Sequence, residues 1–392
     1  MKYLTLSLLL FLFSLSQIQC TQIESKPLDT DPIEPLISDT LNSFLLDFER
    51  DFANGMQELR IPGGAVVLMK DGNIIYEKGF GVLESGVTGE VNEHTVFRLG
   101  SVSKGFASVL AGTLVEDSLI AWEDPVVEHF ETFELHDAEQ TKRVEIQHIL
   151  SHTSGLPRHA YTNLVEDGLS LSRIISRLDQ VPLISQEGEQ IAYQNAGYAV
   201  IEKVLEEKTN TDFNTLLQER LFEPLGMEHT SSTHDVLRIT ENKAEPHLYN
   251  SRMGKRVSVP ITKKYYNAVS AGGINASISD MGKWLQLLVG KHPNIIHPNV
   301  LDEIYTPIAT INNKRFSRYW DGVNESHYGM GWRVLYNGSQ KIVYHGGYVN
   351  GYRSEIAFDK ETQTGICILI NAPSRFPLEI IPAYFEEIAL IN

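Results

Sequence analysis

Phe97-Arg98-Leu99-Gly100-Ser101-Val102-Ser103-Lys104 sets a serine three residues before a lysine, on a segment that reads as a buried helix. Residues at i and i+3 share a helix face, so the Lys104 amine can lie over the Ser101 hydroxyl. Serine attacks carbonyl carbon poorly until a neighbouring base takes its proton. A desolvated lysine can be that base, because burial disfavours its charged form. At a helix N-terminus, unpaired backbone N–H groups can also stabilise an oxyanion. Chance produces S-x-x-K about once or twice in a chain of this length. It occurs once here, so its neighbours decide the matter.

A Ser/Lys pair needs a second polar group to share the proton. Tyr-x-Asn supplies one, but it occurs at Tyr161, Tyr193, Tyr265 and Tyr348. Context selects Tyr193-Gln194-Asn195. It follows the polar loop Gln186 to Gln190 and precedes an amphipathic segment, Ala196 to Glu207, so the ring can project from a loop-to-helix junction into a cleft. A tyrosine with no such role is a half-buried ring with a wet hydroxyl. Further on, His345-Gly346-Gly347 ends a strand, Lys341 to Tyr344. Two glycines let backbone approach a ligand closely, and a strand edge there can donate N–H groups to a bound carbonyl. His148 and His152 have the spacing of a helical metal pair, but Ile149 stands where a metalloprotease motif needs glutamate, and no metal is expected.

Strand signals lie at both ends of the chain. Gly64 to Met69 and Ile74 to Lys78 flank Asp71-Gly72, a hairpin signal. Ile342 to Tyr344, Ser354 to Phe358 and Ile366 to Ile370 are joined by connections too short for parallel crossovers. Asp39 to Leu59 carries Leu41, Leu45, Phe48, Phe52 and Met56 near helical spacing, and Ile380 to Leu390 reads as a closing helix. Between the two strand regions the chain is rich in helix. The pattern predicts an α/β fold of α+β type: an antiparallel sheet flanked by helices, built from both termini (38–100 and 265–392), with an all-helical region (101–264) inserted.

At 392 residues, 42% hydrophobic and 21% charged, the chain can bury a large core. A net charge of -17 argues against nucleic acid, which needs a basic footprint, and against a purely electrostatic hold on anionic lipid. Lys2 and the apolar run Tyr3 to Leu15 resemble an export signal, taken as residues 1–19, ahead of a polar tether, 20–37, and a domain over 38–392. Export to a periplasmic or extracellular space is therefore expected. Cys20 offers membrane attachment through a lipid, although Gln17-Ile18-Gln19 departs from the usual lipobox. Cys367 sits in an apolar strand and reads as a small core residue.

Taken in order, Ser101-Val102-Ser103-Lys104, Tyr193-Gln194-Asn195 and His345-Gly346-Gly347 resemble the three signature elements of serine β-lactamase-like hydrolases, nearest the branch of class C β-lactamases, D,D-peptidases and esterases. Ile149 to Pro157, Glu223 to Met227, Ser270-Ala271-Gly272-Gly273 and Tyr328-Gly329-Met330-Gly331-Trp332 resemble that family too. The resemblance implies Ser101 as acylated nucleophile, Lys104 and Tyr193 sharing proton transfer, and Asn195 binding a substrate amide or orienting Lys104. It implies an oxyanion hole from the N–H groups of Ser101 and Tyr348, with His345, Gly346 and Gly347 binding substrate and His345 facing a carboxylate. The Ile149 to Pro157 run would shape a cleft wall. No cofactor is implied. The substrate would be a small molecule or peptide with an amide, lactam or ester carbonyl. A penicillin-binding sensor that acylates but turns over poorly, and a small-ester carboxylesterase, are the alternatives.

Overall fold

The computed structural model describes residues 39–312, 318–320 and 322–391. The export signal, the tether and Cys20 lie outside the described residues. Helix α1 (Asp39–Glu58) buries Phe44, Phe48, Phe52 and Met56, which recur every four residues and so form one stripe. Leu41 and Leu45 pack at the margin of the same cluster. Strands β1 (Gly63–Lys70) and β2 (Asn73–Gly81) follow. Asp71 and Gly72 join them with φ of 52° and 74°, the paired positive values that a two-residue hairpin turn needs.

The remaining strands are β3 (Phe97–Arg98), β4 (His247–Asn250), β5 (Lys255–Ser258), β6 (Asn275–Ala276), β7 (Ala309–Thr310), β8 (Val323–Tyr328), β9 (Arg333–Asn337), β10 (Gln340–Val349), β11 (Tyr352–Asp359) and β12 (Thr364–Ile370). Eight of them form one sheet in the order β2-β1-β12-β11-β10-β9-β8-β7, and every neighbouring pair is antiparallel. The two ends of the chain meet at β1 and β12, where Val67 lies opposite Cys367. The sheet is thus built from both termini, as the sequence predicts.

The helices that place the site are α2 (Ser103–Glu116), α3 (Val200–Thr209), α4 (Val269–Gly272), α5 (Ile278–Leu288) and α6 (Phe376–Ile388). Alternate residues of β1 and β12 go to opposite faces. Val66, Leu68, Ile366 and Ile368 join the cluster containing α1 and α6. Ala65, Val67, Met69, Cys367 and Leu369 join the cluster containing α2 and α5. Because both faces are covered, these strands read as continuous apolar runs rather than alternating ones. Cys367 is a buried free thiol. Among the described residues no helix is long and apolar enough to cross a membrane.

Two boundaries differ from expectation. The inserted region is not all helical, because the β4–β5 hairpin interrupts it; its four-residue strands are too short and polar to show a period. The helix expected from Ala196 begins at Val200, and Ala196 to Ala199 form turns instead.

Helix α2 is buried from Ser103 to Leu114. Phe106 stacks on Trp284 with centroids 3.8 Å apart. Gly105 lies flat against the Trp332 indole: a Cβ there would stand 2.8 Å from Cε2 and closer still to Cζ2. Overpacking of this kind costs about 1–3 kcal/mol. Gly105→Ala is therefore expected to lower the free energy of unfolding by that amount, seen as a lower denaturant midpoint, and, because α2 must tilt, to lower activity as well. An unchanged midpoint would show that the indole moves aside freely.

Candidate active site

Ser101 sits in a single 3-10 turn, Gly100–Val102, that runs straight into α2. This turn lies against the end of β10, and glycine on both sides permits the approach. Gly100 has φ of 51°, and a Cβ on it would come within 2.8 Å of the Tyr348 backbone nitrogen. A Cβ on Gly347 would stand 3.0 Å from the Ser101 nitrogen and would clash with the Leu99 carbonyl. The nitrogens of Ser101 and Tyr348, the expected oxyanion pair, therefore border one seam between turn and strand. The glycines after His345 serve first to let strand and turn touch.

Lys104 is fully buried one turn beyond Ser101. Its Nζ donates to Asn195 Oδ1 and to the Ala271 carbonyl, each at 2.9 Å. It lies 4.7 Å from the centre of the Tyr193 ring and 5.3 Å from that of Tyr198. No carboxylate pairs with it among the described residues. Burial lowers its pKa, against the opposing pull of Tyr193. Tyr193 is half-buried at the cleft. Burial pushes its phenol up, but the charges of Lys104 and Arg333, with hydrogen bonds from Lys104 and Ser101, outweigh this and bring it below its ordinary value. The structure thus gathers Ser101, Lys104, Tyr193 and Asn195. Of the two parts open to Asn195, its contacts fit orientation of Lys104; its Nδ2 donates to the Tyr265 hydroxyl at 3.1 Å.

His345 is a correction. The expectation set its side chain toward a substrate carboxylate, yet the ring is fully buried and does not line the cleft. The Gly346 carbonyl can only accept, so Nδ1, 3.0 Å away, carries the hydrogen; Nε2 then accepts from the Tyr328 hydroxyl at 3.1 Å. This neutral ring is kept uncharged by burial, reinforced by the charges of Arg333 and Lys104. Gly346, Gly347 and Tyr348 do line the cleft. His152 is the other buried ring here. It packs 4.3 Å from Tyr193, centroid to centroid, and its Nδ1 accepts from the Gln194 N–H at 3.3 Å, so the run around it backs the cleft wall.

The cleft encloses about 670 Å³, and its lining and the buried layer behind it hold residues that sequence reasoning passed over. Tyr265, one of the rejected Tyr-x-Asn sites, reaches it and bonds to Glu166 at 3.3 Å. Arg333 follows the Tyr328 to Trp332 run, and Ala271 lies within the Ser270 to Gly273 run. Both runs were recognised as segments, without a role for these residues. Glu202, in α3, gave no signal beyond amphipathic spacing.

A family model described as Beta-lactamase matches residues 48–389. Similar curated proteins include the Unguisins hydrolase ungD' of Aspergillus campestris (strain IBT 28561), 27% identical over 323 residues that cover 79% of this chain and 59% of that protein. Protein flp of Staphylococcus aureus (strain N315) is 22% identical over 335 residues, covering 83% of this chain and 63% of that protein. The match thus spans less than two thirds of the length of these relatives. Among solved structures, the octameric penicillin-binding protein homologue from Pyrococcus abyssi superposes with a TM-score of 0.74 at 23% identity, covering 88% of this chain and 76% of that one. This last likeness is one of fold.

The His345 ring is buried, its Nδ1–H donates to the Gly346 carbonyl and its Nε2 accepts from Tyr328, and burial lowers its pKa, so a charged role in binding is disfavoured. His345→Asn is therefore expected to change turnover by one common factor between about pH 5 and pH 8, for carboxylated and neutral substrates alike. A component that falls as pH rises, seen only with the carboxylated substrate, would restore the charged role.

Proposed function

This chain belongs to the beta-lactamase family and is a serine hydrolase, and from that premise we propose that it works through an acyl-enzyme on Ser101. The observation that carries the reading is the buried Lys104 amine, with no carboxylate paired to it among the described residues, one turn from Ser101 and against the Tyr193 ring. Ser101 Oγ attacks the carbonyl carbon of an amide, lactam or ester. Its proton passes to the Tyr193–Lys104 pair, whose members lower each other's freedom to stay doubly charged or doubly neutral. The oxyanion is met by the N–H groups of Ser101 and Tyr348. Collapse of the tetrahedral intermediate expels the leaving group, which takes the proton. Water then attacks the acyl-enzyme with help from the same pair, and the acid product leaves.

The lining of the cleft supports an anionic substrate. Arg158, Arg333 and Arg353 border it and, among the described residues, no Asp or Glu does, in a chain of net charge -17. Arg353 is paired with Glu355. Arg333 has no carboxylate partner among the described residues. Its guanidinium carbon stands 5.8 Å from the ring centres of Tyr193 and Tyr328 and 5.9 Å from that of Tyr344. Ring faces hold a cation without neutralising it, which leaves the planar fork free for a carboxylate. The part first given to His345 is therefore assigned to Arg333.

Incubation with a β-lactam, a nitrophenyl ester and a D-Ala-D-Ala peptide, followed by intact mass and peptide mapping, should place the adduct on Ser101. Lys104→Ala and Tyr193→Phe should each slow acylation by about 10²–10⁴-fold, and together by much less than the product of the two. An adduct elsewhere, or undiminished labelling of Ser101→Ala, would overturn the reading. Slow release of product would mark the penicillin-binding alternative.

For the anionic substrate, the measurement is the ratio of kcat/KM for a nitrophenyl ester bearing a carboxylate to that for its methyl-capped counterpart. Arg333→Met should collapse a preference of about 10- to 100-fold toward unity, and Arg333→Lys should keep part of it. A ratio unmoved by Arg333→Met would remove Arg333 from recognition.

A further inference from the structure

The two acceptors of Lys104 come from segments far apart in the chain. Asn195 lies just ahead of α3, whose entry is tied to it by the Ala199 N–H donating to the Asn195 carbonyl at 3.0 Å. Ala271 lies within α4. One buried side chain joins these two segments. Glu202, in the first turn of α3 and 6% exposed, accepts on Oε1 from the Ser270 N–H at 2.8 Å and from the Ser270 hydroxyl at 2.7 Å.

We propose that Glu202 is a positioning residue for proton transfer, holding α4 through Ser270 so that the Ala271 carbonyl stays seated on the Lys104 amine. Helix α4 has only four residues, and its N-cap, Ala268, gives no side-chain cap. A helix this short does not hold itself, and its first N–H groups have no partner within the helix. Glu202 supplies that partner from outside. At the other end the Ser103 hydroxyl of α2 accepts from the Ile274 N–H at 3.0 Å. The segment carrying Ala271 is therefore held at both sides, once by the helix that follows Asn195 and once by the helix that bears Lys104.

Charge does not explain the link. The charges that act on Lys104 are those of Tyr193 and Arg333, and His152 and His345 in turn feel the Lys104 charge. Tyr198 completes its surroundings. Around Glu202 itself stand Glu206 and Lys203 of its own helix and the Ser270 hydroxyl of α4. Burial pushes the Glu202 carboxyl up to about 7, against the Ser270 hydrogen bonds. The contact with Ser270 asks only for an acceptor oxygen, which a glutamine also provides.

The proposal rests on the Ser101 acyl-enzyme. Its test is the rate of Ser101 acylation against pH, read by intact mass in the wild type, Glu202→Ala, Glu202→Gln and Ser270→Ala, with thermal unfolding of each. Glu202→Ala should slow acylation by about tenfold or more, within the range that positioned proton transfer commands. It should also move the limb belonging to Lys104 to lower pH, because an ammonium that loses a carbonyl acceptor holds its proton less tightly. Ser270→Ala should move the limb the same way by less, and it carries the test if Glu202→Ala does not fold. Glu202→Gln should keep the wild-type profile. A limb unmoved in Ser270→Ala and Glu202→Ala, or Gln and Ala variants impaired alike, would overturn the positioning role while leaving the acyl-enzyme in place. A wild type that is not labelled on Ser101 would overturn the acyl-enzyme, and this proposal with it.

Discussion

A buried amine, with no carboxylate paired to it among the described residues, is the constraint around which this molecule is arranged. Taking an ammonium out of water is expensive unless it is paired or hydrogen-bonded. Lys104 meets the demand with one side-chain oxygen, one backbone carbonyl and two tyrosine rings. None of these neutralises it outright. A carboxylate would have made a tighter seat and a poorer proton partner, because a fixed negative charge would hold the amine protonated. The weaker seat must be rigid instead. That requirement brings together Asn195, Ala271 and the helices behind them, which have no sequence proximity to Lys104.

The sheet meets a second demand from the same corner. On the proposed acyl-enzyme route, the turn carrying Ser101 must touch β10 closely enough for backbone nitrogens of both to face one carbonyl oxygen. Side chains at Gly100 or Gly347 would hold the two apart. The approach is held from one side by β11, where Gly347 lies opposite Ser354 and Tyr348 opposite Arg353, while β9 pairs with the earlier part of β10, up to Tyr344. The hydrophobic clusters on the two faces of the sheet then fix α2 relative to β10. Core packing and site geometry are in this sense one structure: the indole of Trp332 that Gly105 accommodates lies one residue before Arg333.

Much of this was legible in the chain. The strands at both ends, the Asp71-Gly72 hairpin, and the order Ser101, Lys104, Tyr193, Asn195 follow from local patterns whose chemistry is stated by residue type and spacing. The rest depends on long-range pairing. His345 was misread because β10 is covered on both faces; a strand without a solvent face gives no alternation to say which way a polar residue turns. Arg333 reaches the cleft because β9 pairs with β10 so that Arg333 lies opposite Tyr344, a register that spacing does not encode. Glu202 looks like any acid on an amphipathic helix until Ser270 is placed against it. Tyr265 and Tyr193 share a motif, and only the fold sets one beside Lys104 and the other against Glu166.

Family membership bears more on the chemistry than on the substrate, and the electrostatics of this chain narrow the second question in a particular way. A protein of net charge -17 repels an anion at long range, so its surface does not steer a carboxylated substrate toward the cleft. Physiological salt screens that repulsion within about 8 Å, a distance shorter than the depth of most clefts. Inside stands the Arg333 guanidinium, against three tyrosine rings and with no carboxylate paired to it among the described residues. Attraction to an anion is then confined to the cleft itself. Discrimination between charged and neutral substrates must arise after encounter, from contacts beside Tyr193, and it should depend far less on ionic strength than an interaction that begins at the surface.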